Sequence, residues 1–161
     1  MINAEWDATD WHILSLLQTH ARSTFREIGN TVGLSAPATA ERIRKLEEKG
    51  VIRGYYADIN MQQVGRAIQA FIQLSTPREM SRRVGEKLKQ IPEILGCWRT
   101  AGPDSFMLHV GVPSIAHLEG LIDYLAQFGQ SVTSMVLSTT FIHPTLAALS
   151  SEGSWRDPTP N

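Results

Sequence analysis

Arg42, Arg44, Lys45, Lys49 and Arg53 fall within twelve residues of one another. They lie on and just after residues 25–49, which read as two short helices joined by a tight turn. Cations on the second helix of such a pair are placed to meet phosphate oxygens and base edges in a duplex groove. The chemistry they offer is recognition. Ser35 caps that second helix, and helix N-termini also hold phosphate. Thr39, Ile43 and Leu46 are spaced i, i+4, i+7 and should pack inward, which leaves Ala36, Pro37, Ala40, Glu41 and Arg44 outward. Arg44 and Lys45 are the best placed for base or phosphate contact. Ala36, Pro37 and Ala40 offer apolar contact to thymine methyls. Arg42 suits a phosphate contact. With few polar side chains on the helix, part of any specificity should come from DNA shape or bending.

A second candidate is the turn of Ala101, Gly102, Pro103, Asp104 and Ser105. A glycine lets a ligand approach the backbone closely, and Asp104 could pair with an ammonium group. The same residues also make an ordinary strand connection in which Gly102 and Pro103 fix the backbone.

Other chemistry is not indicated. His109, His117, His143 and Cys97 lack metal-ligand spacing, and no serine, cysteine or histidine sits in a nucleophile motif. No metal, cofactor or catalytic residue is expected. A net charge of −1 argues against simple coating of nucleic acid, and residues 1–60 hold seven Lys/Arg against eight Asp/Glu. Local field still matters for phosphate binding. A single cysteine excludes an intrachain disulfide. The first residues carry no basic segment followed by an apolar run, and no stretch reaches eighteen apolar residues, so a cytoplasmic protein without membrane contact is the expectation.

The elements that must position these residues can be read from caps and periodicity. Asp7, with Asp10 three residues on, opens a first helix bearing Ile13, Leu14, Leu17 and Ala21. Thr24 and Glu27 form a capping box for a second helix with Phe25, Ile28 and Val32 on one face, which Gly33 ends. The third helix runs from Ser35 to Gly50. Residues 51–59 are β-prone and predict a short hairpin or wing, followed by a connector through Arg66. Residues 68–75 alternate as a half-buried strand. Thr76-Pro77-Arg78-Glu79 reads as another capping box, opening a helix to about Gln90. Strands over 94–100 and 106–112 follow, then a helix capped by Ser114 and a strand over about 132–142. The order is β-α-β-β-α-β, the split βαβ of a ferredoxin-like domain.

The fold class is therefore α+β: an N-terminal winged helix-turn-helix three-helix domain (1–50), a hairpin and linker (51–66), a C-terminal ferredoxin-like βαββαβ domain (67–145) and a disordered tail (146–161).

Asp7, Asp10, Ile13-Leu14, Leu17 and Arg22 begin a longer pattern. It continues through Val32-Gly33-Leu34-Ser35, Arg42-Ile43, Leu46-Glu47, Gly50-Val51-Ile52 and Gly54-Tyr55. In order and spacing this resembles the Lrp/AsnC family of transcriptional regulators, from Trp6 to about His143. The resemblance implies a DNA-binding first domain and a second domain that dimerises, assembles into tetramers or octamers and often binds an amino acid. By its position in the family, Arg42 also suits an internal ion pair with Asp10. The resemblance places the wall facing the 101–105 turn on a neighbouring subunit's last strand, at Thr133, Ser134 and Met135, a composition suited to an apolar amino acid. The turn departs from the family's usual Gly-x-aromatic-Asp-aromatic, because Gly102-Pro103-Asp104-Ser105-Phe106 brings the acid one place early. The function expected is a sequence-specific, dimer-based transcription factor responding to a small amino acid. The rival is a sirohaem-decarboxylase-like tetrapyrrole enzyme of the same two-domain outline.

Overall fold

The computed structural model describes residues 6–102, 105–142 and 145–146. The chain divides into two compact units, Met1–Ala57 with Phe141–Asn161, and Asp58–Thr140.

The first unit is a three-helix bundle: α1 Ala8–Thr19, α2 Phe25–Val32 and α3 Ala36–Glu48. Each helix start is set by a short-range cap. Asp7 accepts from the Asp10 amide at 2.8 Å while the Asp10 carboxylate accepts from the Asp7 amide at 3.2 Å. Thr24 and Glu27 form the same reciprocal box, and Ser35 Oγ accepts from the Ala38 amide. These caps satisfy amides that the helices cannot. Gly33 ends α2 at φ 73°, in the left-handed region. The core comprises Ile13, Leu17, Ile28, Ile43 and Leu46, with Thr39 fully buried and its hydroxyl donating to the Ser35 carbonyl. Phe25, by contrast, is about half exposed.

The second unit is an antiparallel four-stranded sheet in the order β2-β3-β1-β4, from β1 Ile68–Ser75, β2 Ile94–Arg99, β3 Phe106–Val112 and β4 Gln130–Met135, with α4 Ser81–Leu88 and α5 Ile115–Ala126. This is the ferredoxin-like arrangement expected. Period-2 alternation turns Ala70, Ile72 and Leu74 of β1 and Phe106, Leu108, Val110 and Val112 of β3 to one side. There they join Val84, Leu88, Leu118, Leu121 and Leu125 of the helices in a single core. The other sheet face carries Phe71, whose ring stacks on His109 at 4.9 Å between centroids.

Three sequence expectations are corrected. Residues 51–59 form no hairpin; they contain no strand, and Tyr55, Tyr56 and Ile59 stay exposed. Their β-propensity finds no partner strand among the described residues. Thr76 does not cap α4. Its hydroxyl donates across the fold to the Phe128 carbonyl at 2.7 Å, and α4 begins only at Ser81, after a turn in which the Met80 amide meets the Pro77 carbonyl. The last strand runs 130–135 rather than 132–142, because its partner β1 ends: after Met135 pairs Ala70, one further bond joins the Val136 amide to Gln69.

Candidate nucleic-acid interface and effector surface

α3 takes its place in the first unit through its buried stripe, Thr39, Ile43 and Leu46. The close crossing with α2 depends on Gly29. A Cβ there would lie 2.8 Å from Thr39 Oγ1 and against the Leu34 carbonyl. A mid-helix glycine costs roughly 1 kcal/mol against alanine, which is a sequence signal for such an approach. Packed this way, α3 leaves Pro37, Glu41, Arg44 and Lys45 exposed, with Ala36 and Ala40 half-exposed beside them and Ser35 at the exposed cap.

The charges on that face are paired. Arg44 grips Glu41 through Nη2 at 2.8 Å and Nε at 3.1 Å, and its Nη1 meets Glu48. Lys45 Nζ lies 3.8 Å from Glu41. The Arg44 hydrogen bond holds the Glu41 carboxyl below its ordinary range. Within α3 the three cations Arg42, Arg44 and Lys45 meet three carboxylates, Glu41, Glu47 and Glu48, so the helix taken alone is electrically balanced. Arg42 points elsewhere. Its Nη1 lies 2.8 Å from Asp10 Oδ1 and 2.9 Å from Asp7 Oδ2, tying α3 to the capped end of α1. Both hydrogen bonds hold its guanidinium more firmly protonated than usual.

Other cations escaped the sequence reading. Arg22 in the α1–α2 connection and Arg26 in the first turn of α2 are exposed, with no ion-pair partner among the described residues. A cation in the first turn of the first motif helix was the available signal, because that helix crosses the DNA backbone in this class of motif.

On the second unit, the effector candidates divide into two places. Ala101 and Gly102 are exposed in the β2–β3 turn, and Gly102 has φ 138°; Pro103 and Asp104 lie outside the described residues. Ser105 is engaged in the fold. Its hydroxyl donates to the Thr76 carbonyl at 2.9 Å and accepts from the Thr76 amide at 3.2 Å, stapling the start of β3 to the end of β1. Thr133, Ser134 and Met135 lie on the edge strand β4, opposite Ile72, Phe71 and Ala70. The turn instead sits where β1 ends, with Phe106 opposite Leu74. Four residues of strand separate Leu74 from Ala70, on the order of 13 Å. Thr133 lies two positions from Leu74 along the sheet and Met135 four, so the two groups are offset within it.

The sheet face away from the helices is uncovered. Across it run Gln69, Phe71 and Gln73 of β1, Met107 and His109 of β3, Gly96 and Trp98 of β2, and Val132 and Ser134 of β4. Phe71, Trp98 and Val132 are each between two-fifths and two-thirds exposed. Gly96 leaves room for the Trp98 indole, which a Cβ there would overlap. His109 Nε2 pairs with Gln69 Oε1 at 2.9 Å. Burial pushes the His109 imidazole below its ordinary value of 6.5.

A three-helix unit with an outward second motif helix, followed by a ferredoxin-like domain, defines a helix-turn-helix regulator with a separate ligand-binding domain. Comparison with known proteins gives the family. Residues 7–47 match the AsnC-type helix-turn-helix domain and residues 69–146 the Lrp/AsnC ligand binding domain. The chain is 39% identical over 86% of its length, and 98% of the relative's, to an uncharacterised HTH-type transcriptional regulator, YezC, of Bacillus subtilis. It is 33% identical to the HTH-type transcriptional regulator LrpA of Mycobacterium tuberculosis, covering 87% of this chain and 95% of that protein. Among solved structures, Bacillus subtilis LrpC superposes with a TM-score of 0.83 at 26% identity, over 86% of this chain and 99% of the other. A Neisseria meningitidis transcriptional regulator in complex with L-Met superposes with a TM-score of 0.81 at 26% identity, covering 88% and 96% of the two chains. The chain belongs to the Lrp/AsnC family of DNA-binding transcriptional regulators. Its relatives are named as regulators, and the tetrapyrrole-enzyme alternative is set aside. Among the described residues no group of His, Cys, Asp and Glu could hold a metal ion, and no helix is long and apolar enough to cross a membrane.

Proposed function

We propose that this chain is a sequence-specific, cytoplasmic regulator that reads DNA with α3 and answers to a small apolar amino acid. The observation that carries the first part is the exposed stripe of Pro37, Ala40, Glu41, Arg44 and Lys45, set on a helix whose opposite side is buried. In this reading Arg44 and Lys45 exchange their carboxylate partners for phosphate or base edges, with a good bidentate arginine contributing roughly 1–3 kcal/mol of discrimination. Ser35 and the first turn of α3 face the backbone, Ala36, Pro37 and Ala40 meet thymine methyls, and Arg22 and Arg26 add phosphate contacts. Arg42 positions α3 and does not touch DNA.

The uncovered sheet face is the surface for a second copy of the chain. Exposed Phe71, Trp98 and Val132 on one face suit a partner surface, and a two-fold pair presents two α3 helices to half-sites roughly 34–36 Å apart or a multiple of that. Pairs assemble further into tetramers or octamers. The effector sits between copies, with its ammonium group at the 101–105 turn, at Asp104, and its carboxylate and side chain against Thr133, Ser134 and Met135 of a neighbouring subunit. The separation of these two groups within one sheet favours a site completed by another copy. The L-Met bound to the Neisseria meningitidis relative supports an amino acid of this type. Such a ligand alters DNA binding only through preference for one assembly over another, and the coupling is reciprocal.

Genomic footprinting with and without a panel of amino acids tests the whole reading. The expected result is protection of paired half-sites that an apolar amino acid shifts. Protection unaffected by every amino acid would remove the effector half of the proposal, and absence of discrete sites would remove the first.

A further inference from the structure

The strongest unpartnered charge in the described residues is on the ligand-binding unit, not on the recognition helix. Residues 78–89 carry Arg78, Arg82, Arg83, Lys87 and Lys89 against Glu79 and Glu86, a net of three positive charges in a chain whose total is −1. Only Lys89 is paired, with Glu86 at 2.9 Å. Arg78, Arg82, Arg83 and Lys87 are exposed and have no ion-pair partner among the described residues. The helix cannot turn these groups away from solvent, because Ser81, Val84 and Leu88 lock its other face into the core.

We infer that the outer face of α4 is a second DNA-contacting surface, which holds the phosphate backbone of a duplex. The inference rests on the DNA-binding reading of α3 and extends it to the other unit. Three of the four free cations are arginines, whose planar fork matches phosphate oxygens. Arg82 to Lys87 span about 8 Å along α4, with Arg78 in the turn before it, and a duplex presents one negative charge for each ~1.7 Å of its axis, so these cations can find phosphates. A protein partner fits less well. Interface cores are apolar and depleted of lysine, whereas this face offers only Met80 as an exposed large apolar side chain. The contrast with α3 gives each surface a distinct role: the paired cations there select, and the free cations here hold.

The test uses the full-length chain and a duplex selected by the wild type from a random library, in two lengths. One spans only two half-sites, about 20–30 bp; the other is about 150 bp, a persistence length. Arg82→Gln/Arg83→Gln/Lys87→Gln should lose at least ~tenfold in affinity for the long duplex, and its slope of log affinity against log salt should fall by about 2.7, near 0.9 for each of the three lost phosphate contacts. Sedimentation mass should stay as in the wild type. Glu79→Gln/Glu86→Gln should act oppositely, tightening long-duplex binding. A triple variant with the wild-type slope and affinity on the long duplex would overturn the inference, as would a change in assembly mass with an unchanged slope. Arg44→Ala/Lys45→Ala separates the two readings. It should weaken both lengths, and if it weakens neither, the α3 reading fails whatever the α4 variants do.

Discussion

Arg42 Nη1 lies 2.8 Å from Asp10 Oδ1 and joins the recognition helix to the N-terminal cap of α1, 32 residues earlier in the chain. Asp10 is buried, and its carboxylate also accepts from the Asp7 amide. One side chain therefore closes the cap and fixes the angle of α3. Arg42→Ala leaves a buried carboxylate short of a charged donor, a loss of roughly 1–3 kcal/mol. Denaturant unfolding should show that destabilisation. The salt slope of DNA binding should stay at the wild-type value, and a reduced slope would make Arg42 a phosphate contact instead.

If α3 meets DNA as proposed, its carboxylates restrain binding. Glu41 pairs with both Arg44 and Lys45, and Glu48 with Arg44, so engagement of phosphate must break these pairs and bring Glu41 near a polyanion. Glu41→Gln should raise DNA affinity severalfold while relaxing discrimination among sequences, read by competition between selected and random duplexes. Weaker binding by this variant would mean that Glu41 makes a favourable contact, for example accepting from a cytosine amino group.

How much of this was legible in the sequence depended on the range of each interaction. The Asp7–Asp10, Thr24–Glu27 and Ser35 caps act across three residues and could be read directly. Thr76-Pro77-Arg78-Glu79 has the same local form, but the Thr76 hydroxyl found the Phe128 carbonyl 52 residues away, and tertiary context displaced the cap. The hairpin expected over 51–59 failed for a related reason, since β-propensity specifies an extended chain and not its partner. On α3 the outward residues were readable from the buried stripe. The neutralisation of Arg44 also was, in principle: Glu41 and Glu48 stand at i−3 and i+4, the spacings at which charges meet on a helix. For the proposed effector site, sequence could not show that the Ser105 hydroxyl is spent on Thr76.

The open sheet face yields a prediction about assembly. Phe71 stands at its centre on β1, stacked on His109. Phe71→Glu would place an unpaired carboxylate in the interface between copies, a cost of several kcal/mol. Sedimentation equilibrium should show dimerisation weakened by roughly 100-fold or more, with helical content unchanged. A variant that sediments as the wild type would move the interface off this face.

Assembly should also depend on pH. His109 is the one titratable side chain across that face among the described residues; its neighbours there are Gln69, Phe71, Gln73, Gly96, Trp98, Met107, Val132 and Ser134. Burial lowers its proton affinity from the ordinary 6.5. Below pH 6.5 the unfolded chain binds this proton before the folded one, so the neutral imidazole's contribution is intact above that pH and is lost as pH falls through the depressed folded value. Burial against a second copy deepens the effect. The dimer dissociation constant should therefore rise as pH falls through the depressed value of the folded chain, below 6.5, and His109→Gln should flatten that rise; a rise retained in the variant would assign it elsewhere.

The placement of α3 can be tested most directly by DNA cleavage from the helix itself. Cys97 is the only cysteine, so Cys97→Ser combined with Glu48→Cys gives a single attachment point for an iron chelate on the exposed rim of α3. Two clusters of strand cuts, centred in the half-sites and one helical turn of roughly 34–36 Å apart or a multiple of it, are the expected pattern on a selected duplex. Full binding without cuts, while a chelate placed elsewhere on the protein still cleaves, would contradict the account.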